Sequence, residues 1–266
     1  MTHLKSNLGY LISMTSPSKD GIQAITFDAY GTLLYVNQPF QRLARELRKA
    51  GLDVPVESAK KAFLHEATYY KQHHLEAVDF DSLRNLRNRC ARILFSKLAE
   101  LGYAIQLTQD TKLKVLMDSI QFDIYEDVMP ILDWCKENGI ATGVVSNWDC
   151  SLPQVLQGLL NDHSFQAVVV SACEGIAKSD PALYHKAAEA LGLSPSVVLH
   201  VGNEKEADYD SAGQAGFRAL LLDREGGHSG EGEQCIQTLS QLPTACQRFA
   251  GQPGTDGDDL HNSKGI

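Results

Sequence analysis

The chain has 266 residues, 43% of them hydrophobic, and a net charge of −9 at neutral pH. That is enough apolar material for one large domain, or for a core domain carrying one insertion. The acidic balance argues against nucleic acid as a partner, because polyanion binding needs basic surface, and no stretch reaches the roughly 20 apolar residues that cross a bilayer.

Residues 1–20 are polar, with Ser16-Pro17-Ser18 ahead of the first strand, and read as a loose leader. Residues 8–14 lack the small-residue cleavage site of a signal peptide. Residues 22–27 form a short, β-branched apolar run that predicts a buried parallel strand. It ends at Asp28, followed at once by Ala29-Tyr30-Gly31-Thr32-Leu33. α/β enzymes place their chemistry just beyond the carboxyl ends of such strands. A carboxylate there, with Gly and Thr in a tight loop, suits a nucleophile ringed by hydrogen-bond donors. An Asp that only caps a turn would stand in the same place.

Residues 38–123 change character. Leu43, Leu47 and Ala50, then Ala59, Ala62, Phe63, Ala67 and Tyr70, then Leu83, Leu86, Cys90, Ile93, Leu94 and Leu98 recur at helical spacing. Arg84, Arg87, Arg89 and Arg92 populate the other side, as on a solvated face. The pair His73-His74 reads as solvated surface. No strand is predicted in this stretch, so it reads as an inserted helical subdomain. From about 126 helices and strands alternate: helix 128–137, strand 141–145 closing on Ser146-Asn147, helix 152–160, strand 167–170, helix 181–191 preceded by Ala177-Lys178-Ser179-Asp180, strand 197–201 running into Gly202-Asn203, a helix from Asp210, and strand 217–222. That order implies right-handed crossovers and a parallel sheet covered on both faces. The tail after about 224 is rich in Gly, Gln and Ser; residues 236–242 suggest a short helix, and those beyond 251 read as disordered. The six cysteines show no C-x-x-C pair, which suggests reduced thiols and a cytoplasmic setting.

In a doubly wound sheet four polar clusters converge on one edge: Asp28 to Thr32, Ser146-Asn147, Lys178, and Asn203 with Asp208 and Asp210. They suit attack by a carboxylate. Asp28 attacks, Ser146 and loop amides hold the electrophile's oxygens, Lys178 neutralises charge, and the last acidic group fixes a cation or water. Each residue also has a plain alternative. Ser146 could cap a turn, Lys178 could be solvated surface, and Asp208 and Asp210 would favour a helix N-terminus whatever the function.

The strings Phe27-Asp28-Ala29-Tyr30-Gly31-Thr32-Leu33, Val145-Ser146-Asn147, Lys178-Ser179-Asp180-Pro181 and Val201-Gly202-Asn203 to Asp208 resemble, in order, the four motifs of the haloacid dehalogenase-like (HAD) hydrolases. The resemblance covers roughly residues 22–225. It implies a Rossmann-like α/β core at 21–37 and 124–225, a helical cap at 38–123 and a C-terminal extension at 226–266. It also implies a hydrolase of a small phosphorylated metabolite, with Asp28 as nucleophile and Lys178 stabilising it. Thr32, Ser146 and Asn147 would orient phosphoryl oxygens, and Mg2+ would be held by Asp28, the Tyr30 carbonyl, Asn203 and Asp208.

Two positions depart from the family's phosphatases. Tyr30 stands where a general-acid Asp is usual, and a phenol is a poor proton shuttle at neutral pH. Asn203 stands for a cation-binding Asp, keeping a carbonyl oxygen but deleting one charge. The string from Asp28 to Leu33 also resembles the cofactor-independent 2-haloacid dehalogenases, whose reaction has no oxygen leaving group to protonate. Their aromatic-Arg-Gln stretch in the cap has no counterpart in residues 62–71, leaving Arg42 or Arg45 as the substitute for holding a substrate carboxylate. A third reading is a catalytically silent domain that binds a phosphorylated ligand or a protein. The expected partner is a small-molecule substrate, with no nucleic acid or membrane involved; monomer and dimer both fit.

Overall fold

The computed structural model describes residues 21–160, 163, 165–227 and 234–249; the expected leader and the tail beyond 251 lie outside them. A strand apolar on both faces belongs at the centre of a covered parallel sheet. β1 (Ala24–Phe27) is buried throughout and takes that place. After the Asp28 loop, β2 (Leu34–Val36) leads into four cap helices: α1 (Pro39–Lys49), α2 (Val56–His73), α3 (Phe80–Glu100) and α4 (Gln109–Ser119). The chain returns through β3 (Phe122–Ile124), antiparallel to β2. The core then runs α5 (Val128–Glu137), β4 (Ala141–Ser146), α6 (Leu152–Leu160), β5 (Ala167–Val170), α7 (Ser171–Glu174), α8 (Ala182–Leu191), β6 (Val198–Gly202), α9 (Ser211–Gln214), β7 (Arg218–Leu222), β8 (Cys235–Ile236) and α10 (Leu242–Phe249).

The main sheet has the order β5-β4-β1-β6-β7-β8, every pairing parallel. Ile25, Phe27, Leu199 and Val201 point to one face, where α5, α6 and α10 cover them with Ile131, Leu132, Leu156, Leu242 and Phe249. Ala24, Val145 and Val198 point to the other, under Leu183 and Tyr184 of α8 and Ala212 of α9. This is the Rossmann-like α/β architecture the alternation implied. The cap closes a separate core of Leu43, Leu47, Leu83, Leu86, Leu94 and Leu98. Its α3 starts on a capping box, in which the Ser82 N–H donates to Asp79 at 2.8 Å.

Four local expectations need correction. β3 lies in a stretch predicted to hold no strand; three half-buried residues, one of them Asp123, are too few to show an alternation. Asn37 faces it, its N–H bonded to Gln121 at 2.8 Å and its amide to Asp123 at 2.5 Å. His74 is buried rather than solvated, because a 3-10 turn after α2 sends it inward against Tyr70 while His73 stacks on Tyr69. Arg89, assigned to a solvated face, is half-buried and paired with Glu76. The predicted helix at 236–242 is instead a sixth strand, a 3-10 turn and then α10, so this part of the tail belongs to the core. Among the described residues no helix is long and apolar enough to cross a membrane.

Candidate active site

β1 delivers Asp28 to the carboxyl edge of the sheet, its backbone N–H bonded to Val201 at 2.9 Å. The side chain is buried, and its Oδ1 accepts the Ser146 hydroxyl at 3.1 Å. The same oxygen accepts the Lys178 ammonium in a very short contact. Lys178 arrives from the loop after α7 and is only 2% exposed. It also meets the Val145 carbonyl at 3.1 Å and Asp208 Oδ1 at 2.5 Å, so its three protons have three acceptors. The loop is fixed by its own backbone: the Lys178 N–H donates to the side-chain carbonyl of Asn147 at 2.8 Å. Asn147, expected to orient substrate oxygens, therefore uses its carbonyl to place Lys178.

Asp208 has no solvent exposure. Oδ1 is shared by Lys178 and by Nε2 of His200 at 3.2 Å, and Oδ2 accepts the Glu204 N–H at 2.8 Å. It sits in a wide turn, Lys205–Asp210, whose carboxylate lies flat on Gly202. A Cβ at Gly202 would stand 2.1 Å from the Asp208 Cγ, so only glycine fits. Asn203 packs on Gly31, itself at a positive φ of 88°. Its Oδ1 takes a long 3.4 Å bond from the Thr32 hydroxyl, so Thr32 is directed at Asn203. Tyr30 is 51% exposed. Asp210 faces Lys205 at 3.5 Å on the surface.

Two buried carboxylates and one ammonium titrate as a unit. Burial pushes Asp28 up and the Asp208 charge adds to this; Lys178 pulls it back, leaving it at about 6. Burial also opposes the charge on Asp208, but Lys178 and His200 outweigh it and hold that carboxyl well below the usual range. Lys178 stays charged because its two carboxylates overcome its desolvation. Asp208 thus takes the larger share of the lysine, and Asp28 keeps the residual cost of being buried.

Mg2+ prefers oxygen ligands, usually one or two carboxylates with waters and a substrate phosphate. Asp28 Oδ2 takes neither the Ser146 nor the Lys178 bond, and Asn203 Oδ1 has only its long contact. These two, with the Tyr30 carbonyl, fit a loosely held cation carrying one protein charge. Asp208 does not fit as a direct ligand, because three donors already occupy it. Among the described residues no group of three or more His, Cys, Asp or Glu stands ready for a metal.

Three participants escaped the sequence reading. Asp149, three residues past Ser146, accepts the hydroxyl of cap residue Tyr70 at 2.8 Å; Glu204, beside Asn203, pairs with cap residue Lys71 at 3.2 Å. His200 is the third, and a polar residue inside an apolar strand was its available signal. Arg42 and Arg45 are committed elsewhere, to the Asn37 carbonyl at 2.9 Å and to Glu46 at 3.3 Å.

The haloacid dehalogenase-like hydrolase family model matches residues 22–216. The haloacid dehalogenase-like hydrolase domain-containing protein 3 of Danio rerio is 35% identical over 132 residues, which is 47% of this chain and 54%, about half, of that relative. Mouse and human proteins of the same name also match. The glyceraldehyde 3-phosphate phosphatase of Methanopyrus kandleri is 28% identical over 207 residues, covering 76% of this chain and 84% of that one. Among solved structures, the 2-haloacid dehalogenase of Pseudomonas syringae pv. Tomato is 25% identical at a TM-score of 0.57, with 86% and 99% of the two chains covered. The chain belongs to the haloacid dehalogenase-like hydrolases, and it is similar to members named domain-containing protein 3.

Proposed function

We propose that the protein is a phosphomonoesterase of small phosphorylated metabolites that works through an aspartyl phosphate on Asp28. The observation carrying this reading is the double contact at Oδ1 of Asp28: Ser146 and Lys178 hold one carboxylate oxygen, which leaves the other to face a substrate. A buried carboxylate fixed by two donors needs no reorganisation before attack. Asp28 attacks phosphorus in line and the substrate's alcohol departs. Lys178 lies beside the accumulating negative charge, and Ser146 donates to the nucleophile. Water then attacks the phosphorus of the aspartyl phosphate, releasing inorganic phosphate and regenerating the carboxylate. Mg2+, held by Asp28, the Tyr30 carbonyl and Asn203, would supply charge neutralisation at the phosphoryl oxygens. Tyr30 offers only a phenol where a proton must be delivered, so turnover is slow and favours substrates with good leaving groups.

A second reading draws on the half-exposed side chain of Tyr30 and the full occupation of Asp208. A site that lacks a proton donor suits displacement of halide from carbon, which releases chloride without protonation. A screen separates the two. Phosphate release from a panel of phosphomonoesters with Mg2+ is expected to fall about a thousandfold or more in Asp28→Asn. Turnover that survives Asp28→Asn rejects both readings. Chloride release from 2-chloropropionate that persists in a chelator selects the dehalogenase. Ligand-induced thermal stabilisation without turnover in either assay selects a binding module.

A further inference from the structure

Central parallel strands are near-continuous apolar runs, yet β1 carries Thr26 and β6 carries His200, paired with each other in the sheet register. Both have no solvent exposure. A polar pair in such a place costs stability unless every atom finds a partner. Here each does. Thr26 Oγ1 lies 2.9 Å from His200 Nδ1, and His200 Nε2 lies 3.2 Å from Asp208 Oδ1. The roles follow from the chemistry of the partners. An ionised Asp208 only accepts, so Nε2 carries the imidazole proton; Nδ1 is then a bare lone pair and accepts the Thr26 hydroxyl. The ring is further wedged edge-on by Tyr184 at 4.9 Å, whose own hydroxyl bonds to the Ala207 carbonyl at 2.5 Å, one residue before Asp208.

We infer that His200, oriented by Thr26, is a positioning residue for the hydrolytic site: it holds the Asp208 carboxylate where that carboxylate fixes the ammonium of Lys178 against Asp28. The inference rests on Asp28 being the nucleophile of the proposed reaction. The line Thr26, His200, Asp208, Lys178, Asp28 is continuous, and each member is buried. Lys178 has only the Val145 carbonyl as a further anchor. Without the imidazole N–H, Oδ1 of Asp208 keeps Lys178 as its one donor and loses the second point that sets its plane. The ammonium then follows the carboxylate. The defect falls on the chemical step, since Lys178 acts on the charge that accumulates during attack and Thr26, His200 and Asp208 act only through Lys178.

The test compares His200→Leu, which fills the space without a donor, with His200→Gln, whose amide N–H can reach Asp208. The expected result is a loss of about tenfold in kcat for His200→Leu at nearly constant KM, the worth of one charge-assisted hydrogen bond. His200→Gln is expected to recover most of it. Thr26→Val, a milder change that keeps the fold if His200→Leu does not, is expected to lower kcat in the same sense, and Thr26→Ser to restore it. A second readout does not depend on the reaction: the 15N-labelled Lys178 ammonium, shielded and triply bonded, gives a slowly exchanging resonance that broadens or vanishes in His200→Leu and Thr26→Val. An inert wild type with these NMR changes overturns the proposed activity and leaves the positioning role intact. Unchanged kcat and an unchanged Lys178 resonance in both Thr26→Val and His200→Leu overturn the positioning role, as does a His200→Gln variant as impaired as His200→Leu.

Discussion

Lys178 is the residue on which the site's electrostatics turn. It is the sole cation contacting two buried carboxylates among the described residues. Removing one member of a buried ion group leaves uncompensated charge, at about 3–5 kcal/mol. Lys178→Met is therefore expected to lower the unfolding temperature sharply at pH 8. Without Lys178 to hold it down, the Asp28 carboxyl of the variant takes up its proton above the value of about 6 it has beside the lysine, so the loss shrinks as pH falls from 8 toward 6, where the like-charge pair is relieved. A thermal melt series from pH 5 to 8 checks this, and a pH-independent loss would contradict it. Asp28, Ser146 and Gly202 were legible in the sequence because each stands at a strand end, where this class of sheet concentrates its chemistry, and Lys178 because it stands in the connection that follows β5. His200 was not, since strand periodicity says which residues are buried and not what a buried polar atom touches. The jobs of Asn147 and Asp208 were hidden for the same reason: spacing put them at the site, and only geometry could assign their bonds.

At the scale of elements, α2 shows what helical spacing leaves out. Ala59 and Ala62 face the cap core as their period requires, but so does Glu66, which is buried with Cys90 as its hydrogen-bond partner. Burial pushes its carboxyl from the usual 4.5 up to about 7. The folded protein thus keeps a proton that the unfolded chain releases near pH 4.5, so stability declines as pH rises through that interval, and the full cost is present above about 7. Glu66→Gln removes the titration while keeping the shape. It is expected to stabilise the protein on the order of 3 kcal/mol at pH 8 and very little at pH 4, as read from urea unfolding. An equal effect at both pH values would show that the carboxyl is not held neutral. Long elements such as α3 were read directly because their apolar stripe repeats many times. β3 and β8, three and two residues long, offer too few repeats to read, and their place is set by partners distant in sequence.

At the scale of the molecule, the cap touches the core beside the nucleophile strand on both flanks. Tyr70 reaches Asp149 in the loop after β4, and Lys71 reaches Glu204 in the loop after β6, while β1 lies between those two strands. The Tyr70 side chain is half-buried and its Asp149 partner, itself buried, also accepts the Ser151 N–H at 2.8 Å, whereas the Lys71 pair is exposed and worth little by itself. Tyr70→Phe is accordingly expected to loosen the cap much more than Lys71→Ala, by about tenfold in amide exchange around residues 74–77; equal effects would count against it. The chain passes between core and cap through the two-stranded ribbon of β2 and β3, and beside the Tyr70 and Lys71 contacts the Ala77 carbonyl accepts the Cys150 N–H at 3.0 Å. Tyr70 and Lys71 are neighbours near the end of one helix, so a hinge at that ribbon would part both contacts in a single movement rather than one after the other.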